Sequence, residues 1–70
     1  MNTFGQRLKQ LRLDNKILSK DLANEMSITT RAFNYYEEDK REPNLKNIRF
    51  LCEYFDVSAD YLLGLSDIKD

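Results

Sequence analysis

The residues able to do chemistry in this 70-residue chain are few in kind. There is no histidine, and Cys52 is the one cysteine. That removes zinc sites and Ser-His or Cys-His nucleophiles, and no internal disulfide can form. Paired carboxylates could still move protons, but a chain this short has little room for a deep pocket. No enzymatic activity, metal, cofactor or small-molecule ligand is therefore expected. What remains is recognition by charge and hydrogen bonding. Residues 1–20 hold Arg7, Lys9, Arg12, Lys16 and Lys20 against one acid, Asp14. Residues 53–70 hold Glu53, Asp56, Asp60, Asp67 and Asp70 against one base, Lys69. One end can face a polyanion while the other faces away. The net charge of −1 would weaken any binding of a single copy to a nucleic acid, because such affinity rests largely on neutralising phosphates.

These side chains must be positioned by helices, since no segment alternates with period two. The spacing predicts five. Helix 1 runs from Phe4 to Asn15, opened by a Thr3–Gln6 capping box, with Phe4, Leu8 and Leu11 on one apolar stripe and Arg7, Lys9 and Lys16 off it. Helix 2 runs from Ser19 to Met26, with Leu22, Ala23 and Met26 inward and Asp21 in the first turn, suited to the helix dipole. Helix 3 runs from Thr30 to Glu38, capped by Thr29. Asp39 to Pro43 form a loop, Pro43 disfavouring helix at Glu42. Helix 4 runs from Leu45 to Phe55, capped by Asn44, with Leu45, Ile48, Leu51, Cys52 and Phe55 buried. Helix 5 runs from Ala59 to Leu63, with Ser58 as its cap, a Val57–Leu62 staple and Gly64 at its end. Residues 1–65 are expected to form one all-α domain and residues 66–70 a loose tail.

Function is most legible in Ser19 to Glu37. Two short helices meet at a tight connection around Ser27. Ala23 is small enough to let them approach. Ile28, Phe33 and Tyr36 point inward and set the angle at which Thr30, Arg31, Asn34 and Tyr35 face out. This is the helix-turn-helix unit, whose second helix, when such a unit binds DNA, enters the major groove.

Four runs extend the pattern along the chain: Arg7-Leu8-Lys9-Gln10-Leu11-Arg12, Leu22-Ala23-Asn24-Glu25-Met26-Ser27-Ile28-Thr29, Tyr36-Glu37 with Pro43 downstream, and Phe55-Asp56-Val57-Ser58-Ala59-Asp60-Tyr61-Leu62-Leu63-Gly64. In this order and spacing, from Phe4 to Leu63, the chain resembles the Cro/repressor (XRE-type) helix-turn-helix family of phage and mobile-element regulators. The resemblance implies base readout by Thr30, Arg31, Asn34 and Tyr35, with Arg31 able to grip guanine O6 and N7. It implies phosphate contacts at Ser19, Lys20, Thr29, Lys40, Arg41 and Asn44. Arg12 and Glu37 correspond to a buried ion pair with a structural role.

The chain departs from the family pattern at four positions. Leu18 stands where a polar cap of helix 2 is usual, and Ser19 where a DNA-binding Gln is usual. Ser27 replaces the usual turn glycine, so it is expected to carry a positive φ at a cost of roughly 1 kcal/mol. Asp39, beside Glu38, replaces another common glycine, and the two acids would repel phosphate if they faced DNA.

The implied function is a cytoplasmic, sequence-specific DNA-binding regulator acting by occupancy of its double-stranded operator. An alternative on the same fold is an antirepressor that masks a partner phage repressor's basic surface, using Tyr35, Glu38 and Asp39. Leu62, Leu63, Leu65 and Ile68 either pack on the core or build the face of a weak homodimer. No apolar run approaches the ~18 residues of a membrane span.

Overall fold

Each helix begins where a side chain can stand in for the missing turn. In the computed structural model, which describes residues 2–69, the elements are α1 (Phe4–Asp14), α2 (Ser19–Glu25), α3 (Thr30–Glu37), α4 (Leu45–Phe55) and α5 (Ala59–Leu62). Thr3 and Gln6 form the reciprocal capping box on α1. Thr29, Asn44 and Ser58 accept from the amides of Ala32, Asn47 and Tyr61 at the starts of α3, α4 and α5. Only α2 lacks a side-chain cap, because Leu18 stands at that position. α1, α2, α3 and α5 each end one residue before the expected point. At Asn15, Met26, Glu38 and Leu63 the backbone leaves the helix, with ψ near zero.

α3 lies at the centre, packed on α1 and α2, while α5 ties α1 to α4. Leu8, Leu22, Phe33, Leu51 and Leu62 are the large side chains fully shut from solvent, each contributing ~1.5–3 kcal/mol by burial. Leu11, Ala23, Met26, Tyr36, Val57 and Tyr61 complete the core, and Ile28, Ile48, Cys52 and Phe55 pack half-buried on it. Gly5 lets α1 approach α3: a Cβ there would sit 2.5 Å from the Glu37 carbonyl and 2.8 Å from that of Tyr36.

Three expectations are corrected. Leu45, assigned to the buried stripe of α4, is 67% exposed, since another residue of the first turn of α4 faces the core. Asn47 is buried instead and donates to the Tyr36 hydroxyl. Cys52 is half-buried rather than interior, and burial, then the charge of Glu53, raises its thiol pKa. Arg7, placed off the apolar stripe, is buried: its guanidinium lies 4.1 Å over the Tyr61 ring and pairs with Asp67. Burial works against the Arg7 cation, but its bonds to Tyr61 and Asp67 prevail, so its pKa is raised.

That pairing also alters the tail. The amides of Leu65 and Ser66 donate to the Asp60 carbonyl, and the Ser58 amide donates to the Lys69 carbonyl. Residues 66–69 are therefore held against α1 and α5 rather than loose; Asp70 lies outside the described residues. Leu62 packs in the core, whereas Leu63, Leu65 and Ile68 remain on the surface.

Candidate nucleic-acid interface

The outward face of α3 is held from behind in three ways. Phe33 and Tyr36 are buried in the core, and Ile28 packs against it. The Phe4 ring meets Tyr36 edge-on at 6.3 Å between centroids. Arg12 of α1 donates through Nε to Glu37 Oε2 at 2.7 Å and through Nη2 to Oε1 at 3.2 Å, while its Nη1 reaches the Ile17 carbonyl at 3.0 Å. Both side chains of this fork-to-fork pair are nearly closed to solvent. Removing one partner would strand the other charge at a cost of ~3–5 kcal/mol. One ion pair thus joins α1, the α1–α2 turn and the last residue of α3.

Backbone geometry at the turn sets the presentation of this face. Ser27 has φ 59°, the left-handed conformation its replacement of a glycine required. Its amide bonds the Asn24 carbonyl, and the Ile28 amide reaches back to Ala23. That closes α2 and redirects the chain into α3.

Asp39 also has φ 59°. Its carboxylate accepts from the Gly5 amide at 2.9 Å and from the Thr3 hydroxyl at 2.6 Å. An acid at the end of α3 thereby satisfies an otherwise open amide in the first turn of α1, and its negative charge suits that end of the helix dipole. Its carboxylate is thus engaged within the fold, while the residue itself stays exposed. Glu38 is exposed and lies 3.2 Å from Lys40. Lys40, expected to contact phosphate, therefore carries an acidic neighbour, a surface pair worth little in itself. With Asp39 engaged in the fold and Glu38 beside Lys40, nothing specific favours the repressor-masking alternative.

The other site residues are disposed as follows. Thr30 and Arg31 are exposed in the first turn of α3, with Asn34 and Tyr35 half-buried one turn later. Ser19 opens α2 half-buried, and Lys20 is exposed beside it. Thr29 and Asn44 are exposed and already spend a side-chain oxygen on their caps. The Thr29 hydroxyl proton and the Asn44 amide protons remain as potential donors.

The structure brings three of these residues together. Arg31 Nε donates to the Tyr35 hydroxyl at 2.8 Å, and its guanidinium carbon lies 5.6 Å from the Tyr35 ring centroid. Arg41, from the loop after α3, lies 5.8 Å from the same centroid. Both distances fall within cation–π range. The i, i+4 spacing of Arg31 and Tyr35 signals their contact in the sequence. Nothing local signals the approach of Arg41, which depends on the path of the loop. Two of the basic residues counted at the N-terminal end, Arg7 and Arg12, are consumed by internal pairs. The cations left exposed around α2 and α3 are Lys20, Arg31, Lys40 and Arg41.

Among the described residues there is no group of three or more His, Cys, Asp or Glu that could hold a metal ion. No helix among these residues is long and apolar enough to cross a membrane.

A helix-turn-helix domain family model matches residues 5–68. The uncharacterized HTH-type transcriptional regulator YobD of Bacillus subtilis is 38% identical over 67 residues, covering 96% of this chain and 60% of that protein. ImmR, an HTH-type transcriptional regulator of the same organism, is 32% identical over 67 residues, covering 96% of this chain and 53% of its own length. The chain thus spans little more than half of these curated relatives. Among solved structures, the P22 c2 repressor in complex with a synthetic operator superimposes with a TM-score of 0.85 at 27% identity, covering 94% of this chain and all of that one. With the family model spanning nearly the whole chain, and the helix pair, its turn and the interhelical ion pair in place, the protein belongs to the helix-turn-helix domain family.

Proposed function

We propose that this chain is a sequence-specific DNA-binding transcriptional regulator of a phage or mobile-element switch, with α3 in the major groove. The observation that carries the reading is the rigid outward face of α3, with Thr30, Arg31, Asn34 and Tyr35 held by Phe33, Tyr36 and the Arg12–Glu37 pair. It is supported by the likeness to a repressor whose structure contains operator DNA. Thr30, Arg31 and Asn34 meet base edges. Ser19, Lys20, Thr29, Lys40, Arg41 and Asn44 meet phosphates on either side and set the register, since backbone contacts position while base contacts specify. The chain acts by occupancy rather than catalysis, on double-stranded DNA and without a cofactor.

One copy presents few cations and a net charge of −1. Useful affinity therefore comes from two copies on half-sites about one helical turn apart. The test is selection from a randomised duplex pool, followed by titration of an enriched duplex across a salt series. The reading requires enrichment of a paired motif and a steep fall of affinity with salt. A folded protein that enriches no sequence refutes it.

A further inference from the structure

We propose that Tyr35 is a positioning residue that aims Arg31 end-on at a guanine, with Arg41 bracing the tyrosine ring; the proposal rests on the DNA-binding reading above. An arginine can present a guanine with two parallel donors in either of two ways, through Nε and one terminal nitrogen or through both terminal nitrogens. In this structure Arg31 Nε already donates to the Tyr35 hydroxyl at 2.8 Å. The side-on edge is thereby occupied. The edge formed by Nη1 and Nη2 is the pair of parallel donors left to meet O6 and N7.

The tyrosine is itself held. Its ring is half-buried at the edge of α3, and Arg41 approaches it within 5.8 Å of the centroid. Arg41 belongs to the loop after α3, where a cation suits a phosphate, so a phosphate contact made by Arg41 would fix the ring and, through it, the Arg31 fork. A long, exposed arginine otherwise loses rotamer freedom when it binds. Holding its guanidinium before contact reduces that loss, and the benefit appears as discrimination at one base position.

Tyr35→Phe keeps the ring and removes only the hydroxyl. Wild type, Tyr35→Phe, Arg31→Ala and Arg41→Gln are each put through selection from the same randomised duplex pool, and the salt dependence of binding is measured on the wild-type winner. The wild-type motif is expected to hold a guanine in each half-site, preferred by about ten-fold or more over other bases. Arg31→Ala should lose that preference. Tyr35→Phe should reduce it to about a third or less at that one position, leaving the other positions and the salt slope unchanged. Arg41→Gln should lower the salt slope by about one unit and weaken all sequences, with a smaller loss at the guanine. Full guanine preference in Tyr35→Phe overturns the proposal while leaving the DNA-binding reading intact. A Tyr35→Phe loss spread evenly over all positions overturns it too, because a general support role would do that. Absence of any enriched motif for the wild type defeats the DNA-binding reading and this proposal with it.

Discussion

Ser27 and Asp39 share a left-handed backbone at φ 59°, yet replacing each with glycine should move stability in opposite directions. A non-glycine residue in this conformation costs roughly 1–2 kcal/mol, and a glycine gives back ~0.4–1 kcal/mol through the greater freedom of the unfolded chain. Ser27→Gly should therefore stabilise by about 0.5–1 kcal/mol. Asp39→Gly gains the same relief but loses the carboxylate that holds the Gly5 amide at 2.9 Å and the Thr3 hydroxyl at 2.6 Å. A hydrogen bond to a charged group contributes ~1.5–3 kcal/mol; the exposure of Asp39 argues for the low end. The favourable placement at the start of α1 adds ~0.3–1 kcal/mol. The net expectation for Asp39→Gly is a loss of about 1 kcal/mol. Thermal unfolding resolves the two, since 1 kcal/mol moves Tm by roughly 4–8 °C in a domain of this size. Asp39→Asn, which tolerates the backbone and keeps an amide oxygen as acceptor, should fall between wild type and the glycine variant. If Asp39→Gly rises in Tm alongside Ser27→Gly, the carboxylate does not secure α1 and the argument fails.

Three further outcomes are expected. Glu37→Leu alone should cost ~3–5 kcal/mol by stranding Arg12, whereas Arg12→Met with Glu37→Leu should recover most of that loss; urea unfolding of the two singles and the double measures it, and simple additivity would contradict it. Gly5→Ala should destabilise by ~1–3 kcal/mol, because its Cβ meets the Glu37 and Tyr36 carbonyls and α1 must shift away from α3; an unchanged Tm would show that the contact yields freely. Stability should decline in alkali. The thiol pKa of Cys52 is raised by burial and by Glu53, and the hydroxyl pKa of Tyr54 is raised by the facing Glu25, by burial and by Asp21. From the ordinary thiol value of 9.0 upward, the unfolded chain releases these protons before the folded one does, so unfolding becomes easier as pH rises. Cys52→Ala and Tyr54→Phe should each flatten that decline in urea midpoints measured between pH 8 and 11, and equal slopes in all three proteins would refute the assignment.

Short-range rules in the sequence determine the five helices and the split of α3 into an inner and an outer face. Capping side chains act within three residues of a helix start, and apolar spacing follows the helical period, so Thr3, Thr29, Asn44 and Ser58, and the inward Phe33 and Tyr36, are legible from residue order alone. The four ordered runs also carry the family and, with it, the Arg12–Glu37 pair. Tertiary structure decides the partners of the polar side chains, because those depend on residues far along the chain meeting in space. Arg7 looks like a surface cation until Tyr61 and Asp67 arrive against it. Asp39 looks like a repulsive acid until the start of α1 is placed beside it. Leu45 follows the apolar period of α4 and still faces solvent, since in that turn it is the polar Asn47 that meets Tyr36 from α3. The Arg31–Tyr35–Arg41 cluster joins one helical contact, readable from its spacing, to a loop approach set only by the turn after α3.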